Sequence, residues 1–294
     1  MIKNQKKAVF YALGAVACWS TVATAFKLSL NYFSPAQLLW VATLTSVILL
    51  ISVLAYQKRL NELLSSFKQQ PAFFLIAGLM NPTVYYLVLF QAYDRLPAQQ
   101  AQTLNYTWAI TLTLLAVPFL GQTIRRQDWI AILLGYTGAM VIATRGDLLS
   151  LQFDDSIGVA LALFSTFIWA GYWILNTRNQ VDPLVSLALT FILAFPMITV
   201  ATAIFSDFQM TQWQGWVGAI YVGIFEMGIA FIMWLMAMRY AVNTARISNL
   251  IFISPFLSLL FLRFLVGEEI YVATIIGLVM IVIALLIQQL KKTA

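Results

Sequence analysis

Histidine is absent from this 294-residue chain, and cysteine occurs once, at Cys18. Those two scarcities remove intrachain disulfides, Cys/His metal sites, histidine-based triads and imidazole proton relays. Charge is scarce as well. Charged residues make up 10% of the chain and hydrophobic ones 62%, whereas a soluble domain carries about 25% charged residues. Polar stretches are short, and the two longest, 57–71 and 145–156, read as loops rather than modules.

What is abundant is apolar sequence in runs of bilayer length. A hydrocarbon core of about 30 Å needs about 20 residues of helix. Ten such runs can be placed, at 8–28, 35–56, 72–93, 97–119, 127–144, 157–177, 183–205, 213–238, 243–266 and 270–289. They are continuously apolar rather than alternating, so helices are expected and a barrel is not. The expected class is an all-α, multi-pass protein of a bacterial inner membrane.

Basic residues set the expected orientation. With the N-terminus in the cytoplasm, Lys3, Lys6, Lys7, Lys58, Arg59, Lys68, Arg125, Arg126, Arg178, Arg239, Arg246, Lys291 and Lys292 fall inside, and Lys27, Arg95, Arg145 and Arg263 fall outside. Asp94, Asp147, Asp154, Asp155, Asp207, Glu268 and Glu269 also fall outside. Both termini are then cytoplasmic. This bias accounts for the net charge of +6 without any nucleic-acid partner. The first run is too long for a signal-peptide core and is expected to stay as a helix.

Glu226 stands inside the apolar run GAIYVGIFEMGIAFIMWLMAM with no cation in that stretch. An acid at mid-membrane costs about 2.5–3.5 kcal/mol, so protein or water must compensate it. It therefore marks a pathway, serving either as a proton-binding group or as a counter-charge. The bland alternative is a neutral acid bonded to another helix.

The chain also echoes itself. LNYTWAITLTLLAVPFLGQTIRRQDWIAILLG from Leu104 and NLIFISPFLSLLFLRFLVGEEIYVATIIG from Asn249 align with a shift of 146, which sets Gly121 on Gly267 and Gln122 on Glu268. Asn81 falls near Glu226, and Trp19 and Trp169 sit at comparable depth. Residues 1–146 and 147–294 thus read as two five-span repeats. Five is odd, so the second must enter the membrane from the opposite side, with a ligand site near the midplane.

These features together resemble the drug/metabolite transporter superfamily, in particular its EamA-type members: the five-plus-five pattern, the Trp of the first and sixth helices, the NYTWA and IFISPF runs, and the LGQ and VGEE ends. PTVYYLVLFQAYDRLPAQQAQTLNYTWA looks most like the aromatic amino-acid exporter branch. Ala109 and Gln122 depart from the pattern, where Pro and Glu are usual. The resemblance implies a ten-helix basket around a central cavity lined by the first, third, fourth, sixth, eighth and ninth helices.

Polar and aromatic side chains within the runs form stripes. The sixth carries Ser165, Trp169, Tyr172 and Asn176, with Trp173 on the flank, and the first carries Trp19, Ser20, Thr24 and Lys27. The third offers Asn81, Tyr85 and Tyr86, and the fourth Gln99, Gln102, Asn105 and Tyr106. Such groups suit hydrogen bonding to a zwitterion and stacking on an aromatic ligand, or interhelical bonding alone. Lys27 reads equally as a snorkelling interfacial lysine. In the ninth run Arg246 and Asn249 could hold an anion, or Arg246 could mark the cytoplasmic boundary. Pro82, Pro196 and Pro255 are candidate bends.

The expected function is export of small metabolites, amino acids and aromatic ones first, by alternating access, with no cofactor and as a monomer or homodimer. Export of organic cations with Glu226 as counter-charge is the alternative, followed by a non-transporting receptor or assembly subunit. An intramembrane enzyme is disfavoured by the absence of catalytic motifs.

Overall fold

A computed structural model describes residues 3–148, 153, 155–243, 246–247 and 249–289. Asp154, Lys291 and Lys292 of the charge bias lie outside the described residues, as do 244, 245 and 248 of the expected ninth span. Among the described residues every regular element is helical. In chain order these are α1 (Gln5–Leu30), α2 (Pro35–Tyr56), the short α3 (Asn61–Gln69), α4 (Pro71–Arg95), α5 (Ala98–Leu120), α6 (Arg126–Ala143), α7 (Ser156–Asn176), α8 (Pro183–Phe205), α9 (Trp213–Tyr240), α10 (Asn249–Val266) and α11 (Val272–Gln289).

Eight of these, all but α3, α6 and α11, are long and apolar enough to cross a membrane. The expected fifth and tenth spans are also helical. However, α6 carries Arg126 and Asp128 in its first turn, and the apolar part of α11 is a shorter Val272–Gln288.

Local sequence sets the helix ends. Ser34 closes a capping box with Gln37 ahead of Pro35 at the start of α2, supplying acceptors to otherwise orphaned N–H groups. Asp155 accepts from Gly158 N at 2.8 Å to cap α7, and Asp182 caps α8 through Leu184 N at 3.0 Å. Two C-terminal ends use glycine. Gly121 (φ 65°) and Gly267 (φ 80°) follow α5 and α10 in the left-handed region, which a side chain disfavours. Gly121 N and Gln122 N then fold back onto Val117 O and Ala116 O at 3.1 and 3.3 Å.

Two compact units make up the chain: Met1–Leu87 with Gln180–Val266, and Val88–Asn179 with Gly267–Ala294. Each draws on both sequence halves, because packing and internal repetition divide the chain along different lines. In the first unit, α1 meets α9 through the small residues Ala8, Ala12, Ala237 and Ala241 around Ile247. Trp40 on α2 donates to Thr199 of α8 at 3.0 Å.

In the second unit, α6 and α11 make the closest approach. A Cβ on Gly277 would lie 2.5 Å from Gly138 O, and one on Gly138 would lie 2.7 Å from Gly277 O. Ala131, Ala139 and Ala273 are buried beside that crossing. Small residues let backbones touch where lipid supplies no hydrophobic drive. Large exposed apolar side chains such as Phe264, Phe205 and Val272 suit a hydrocarbon solvent.

Candidate functional site

Within the first unit the helix around Glu226 is not a regular α-helix. Val222–Ile229 is a π-helical stretch, a geometry that widens a turn and recurs at functional sites. Glycine makes room for it. A Cβ at Gly223 would meet Ala42 O at 2.4 Å, and one at Gly228 would meet Leu49 at 2.4 Å, so α2 lies directly against this stretch. From α2, Ser46 donates to Met227 O at 2.9 Å, satisfying one backbone acceptor there.

Glu226 itself is half-buried, and its Oε1 accepts a hydrogen bond from the Tyr86 hydroxyl at 2.9 Å. Tyr86, almost fully buried, packs edge-on against Tyr85 at 4.9 Å between ring centres. No Lys or Arg forms an ion pair with Glu226 among the described residues.

Five residues before Tyr86, α4 is broken. Asn81 adopts an extended conformation (φ −143°, ψ 121°) within Leu79–Val84, ahead of the cis Asn81–Pro82 bond. Its side chain is 1% exposed, yet neither Oδ1 nor Nδ2 has a hydrogen-bond partner. Leaving such a group unsatisfied costs about 1–3 kcal/mol. Thr24 of α1 is likewise buried with an unpartnered hydroxyl, as is Oδ1 of Asn249.

The other first-unit residues are placed differently. Ser20 spends its hydroxyl on Val16 O of its own helix at 2.6 Å. Trp19 is packed edge-on against Phe231 at 5.9 Å and tilted against Trp234 at 5.5 Å, so it ties α1 to α9. Lys27 is half-buried in the last turn of α1. Arg246 is exposed, its backbone N–H donating to Asn243 Oδ1 at 3.1 Å.

The second unit gathers aromatic rings. Trp169 stacks on Tyr172 (5.6 Å, 25°) and meets Trp173 edge-on (6.0 Å). Trp108 of α5 stacks on Trp173 (6.3 Å, 18°) and meets Trp169 edge-on (6.4 Å). Trp108 completes this cluster, and its place in the NYTWA run was the signal that could have nominated it. Asn105 donates to Ser165 Oγ at 2.9 Å, and Asn176 donates to Tyr172 O of its own helix at 2.9 Å. Gln102 is buried with Oε1 unpartnered, and Tyr106 is half-buried at the break between Ala98–Asn105 and Trp108–Leu120.

Gln99 has a structural role: its side chain donates to Glu269 O at 2.6 Å and accepts from Tyr271 N at 2.9 Å. Beside it, Glu268 accepts from Ala98 N at 2.7 Å and Gln99 N at 3.2 Å. The VGEE run thereby caps the N-terminus of α5, using an acid where the helix dipole favours one.

The pattern of the EamA-like transporter family matches the chain twice, over residues 6–144 and 156–288. A Bacillus subtilis (strain 168) protein called uncharacterized transporter YvbV is 21% identical over 286 residues, covering 95% of this chain and 90% of that protein. A solved crystal structure of a protein superposes with a TM-score of 0.68 at 21% identity, covering 97% of each chain. That likeness concerns the fold.

Proposed function

Because this chain belongs to the EamA-like transporter family, and is a multi-pass transporter of the cell membrane, we propose that it exports amino acids, aromatic ones first, by alternating access. The proposal includes ten spans in two inverted repeats, 1–146 and 147–294, with both termini cytoplasmic. The observation that carries it is Glu226: an acid within a membrane span, held by Tyr86 in a π-helical turn, in a unit that also buries the unpartnered polar atoms of Asn81 and Thr24. Buried polar groups without protein partners are ready for a ligand or water. The rings of Trp108, Trp169, Tyr172 and Trp173 support aromatic substrates, since such surfaces favour stacking.

Reconstituted vesicles loaded with a labelled amino-acid panel test the reading. Efflux of at least one aromatic amino acid is expected, slowed at least about ten-fold by Glu226→Gln, the scale of one charged hydrogen bond lost at a site. No movement of any amino acid would defeat the substrate claim.

A second reading, export of organic cations, is favoured by the lack of any ion pair at Glu226 among the described residues. Cation binding abolished by Glu226→Gln, with neutral ligands still bound, would select it.

A further inference from the structure

The short helix α3 lies between two spans and has no buried residue. Nine-residue helices are marginal in water on their own propensity, so something must cover its apolar side. Part of that cover is the protein: α3 leans on α8 and on the start of α4, with Leu63 and Phe67 half-buried. Leu60 and Leu64, one turn apart, remain 43% and 60% exposed, and Tyr56 at the end of α2 is 91% exposed.

Charge is distributed unevenly around this stripe. Arg59 grips Glu62 through two hydrogen bonds of 2.7 and 2.8 Å and reaches Asp182 at 3.2 Å. The acid of α3 is thereby matched. Lys58 and Lys68 are exposed, and neither has an ion-pair partner among the described residues. The net character is an apolar stripe flanked at each end by an unmatched lysine.

We propose that α3 is a membrane-surface element that binds anionic phospholipid headgroups at Lys58 and Lys68, with Leu60 and Leu64 set among the upper acyl chains. The chain places it there: α2 ends at Tyr56 and α4 begins at Pro71, so both connections open directly onto spans. An amphipathic helix with basic flanks binds such an interface through apolar burial plus attraction to anionic lipid. Asp182, which also pairs with Arg239 at the end of α9, ties the base of this element to α8 and to the helix that carries Glu226.

The test uses the full-length protein with Cys18→Ser, carrying an environment-sensitive fluorophore at Leu64→Cys or, on the polar face, at Ser65→Cys, in vesicles of phosphatidylcholine with or without phosphatidylglycerol. Lipids spin-labelled near the headgroup are expected to quench the probe at 64 and leave the one at 65 largely unquenched. Spin-labelled phosphatidylglycerol is expected to quench position 64 more strongly than spin-labelled phosphatidylcholine, with enrichment of about five-fold per lysine. Lys58→Gln/Lys68→Gln is expected to abolish that preference while phosphatidylcholine quenching persists, which also reports that the helix is still in place. Equal quenching at 64 and 65, no preference for the anionic lipid, or a preference that survives the double substitution would each overturn the proposal.

Discussion

Replacing Glu268 by Ala removes the only side chain that caps the first turn of α5 among the described residues, and the cost follows from two contacts. Its carboxylate accepts from Ala98 N at 2.7 Å and from Gln99 N at 3.2 Å. A hydrogen bond to a charged group contributes about 1.5–3 kcal/mol, and loss of a helix cap costs about 0.5–2 kcal/mol. The second contact is long and the residue is half-exposed, so the combined loss is set near the overlap, at about 2 kcal/mol. Unfolding entropy of about 2.1 cal/mol/K per residue, taken over this length, gives about 0.6 kcal/mol/K, and hence a fall of about 3 °C in melting temperature. Detergent-purified protein followed by thermal unfolding measures it. Glu268→Gln keeps one acceptor oxygen but no charge and is expected to lose about half as much. An Ala variant that melts with the parent would refute the capping argument, and a Gln variant as damaged as Ala would show that charge alone is responsible.

Tyr86→Phe deletes the hydroxyl that donates to Glu226 at constant ring volume; a thermal double-mutant cycle with Glu226→Ala, which removes the acceptor, is expected to show coupling of about 1 kcal/mol, and additive effects would contradict the contact. Gly277→Ala drives a methyl into Gly138 O and Ile142, each 2.5 Å from the ideal Cβ, and is expected to cost about 1–3 kcal/mol of stability in the same assay. Asp182→Ala removes the cap of α8 and the shared partner of Arg59 and Arg239, for an expected loss of about 1–2 kcal/mol. Burial works against the charged form of Asp182, but the Arg239 hydrogen bond and the two guanidinium charges outweigh it and hold the carboxyl below its ordinary value of 3.8. Its contribution is therefore complete above that ordinary value and disappears as pH falls through the depressed one. The difference in melting between parent and Asp182→Ala should be flat from about pH 5 to 8 and shrink only at more acid pH.

Much of this was legible because lipid is a simple solvent: it demands long apolar helices, and these stand out in composition before any residue is singled out. Glu226 was legible for the same reason, as the exception inside a run. Gly121 and Gly267 marked the ends of α5 and α10 because a left-handed turn leaves few residue choices. Tyr86 was visible as a mid-depth phenol, yet its pairing with Glu226 depends on the break at Asn81 and the π-helical turn at Val222–Ile229, which change the angular register that helical spacing assumes. Ser20 and Asn176 looked like free polar groups because periodicity gives a face but not a rotamer; both hydrogen-bond within their own helices. Three rings of the aromatic cluster in the second unit, Trp169, Tyr172 and Trp173, stand in one run and are legible together, while Trp108 enters it from a different helix.

Glu268 follows the two amides it caps by 170 and 169 positions, which has a consequence for biogenesis. Ala98 and Gln99 leave the ribosome long before their acceptor exists, and at about 5–20 residues per second the interval is about ten to thirty seconds. Over that time the head of α5 must find temporary partners, in water or in the translocation machinery, and it locks only once the VGEE turn after α10 has been made. Chains truncated before Glu268 are therefore expected to be recognised by quality-control proteases even though most of their spans have already been inserted.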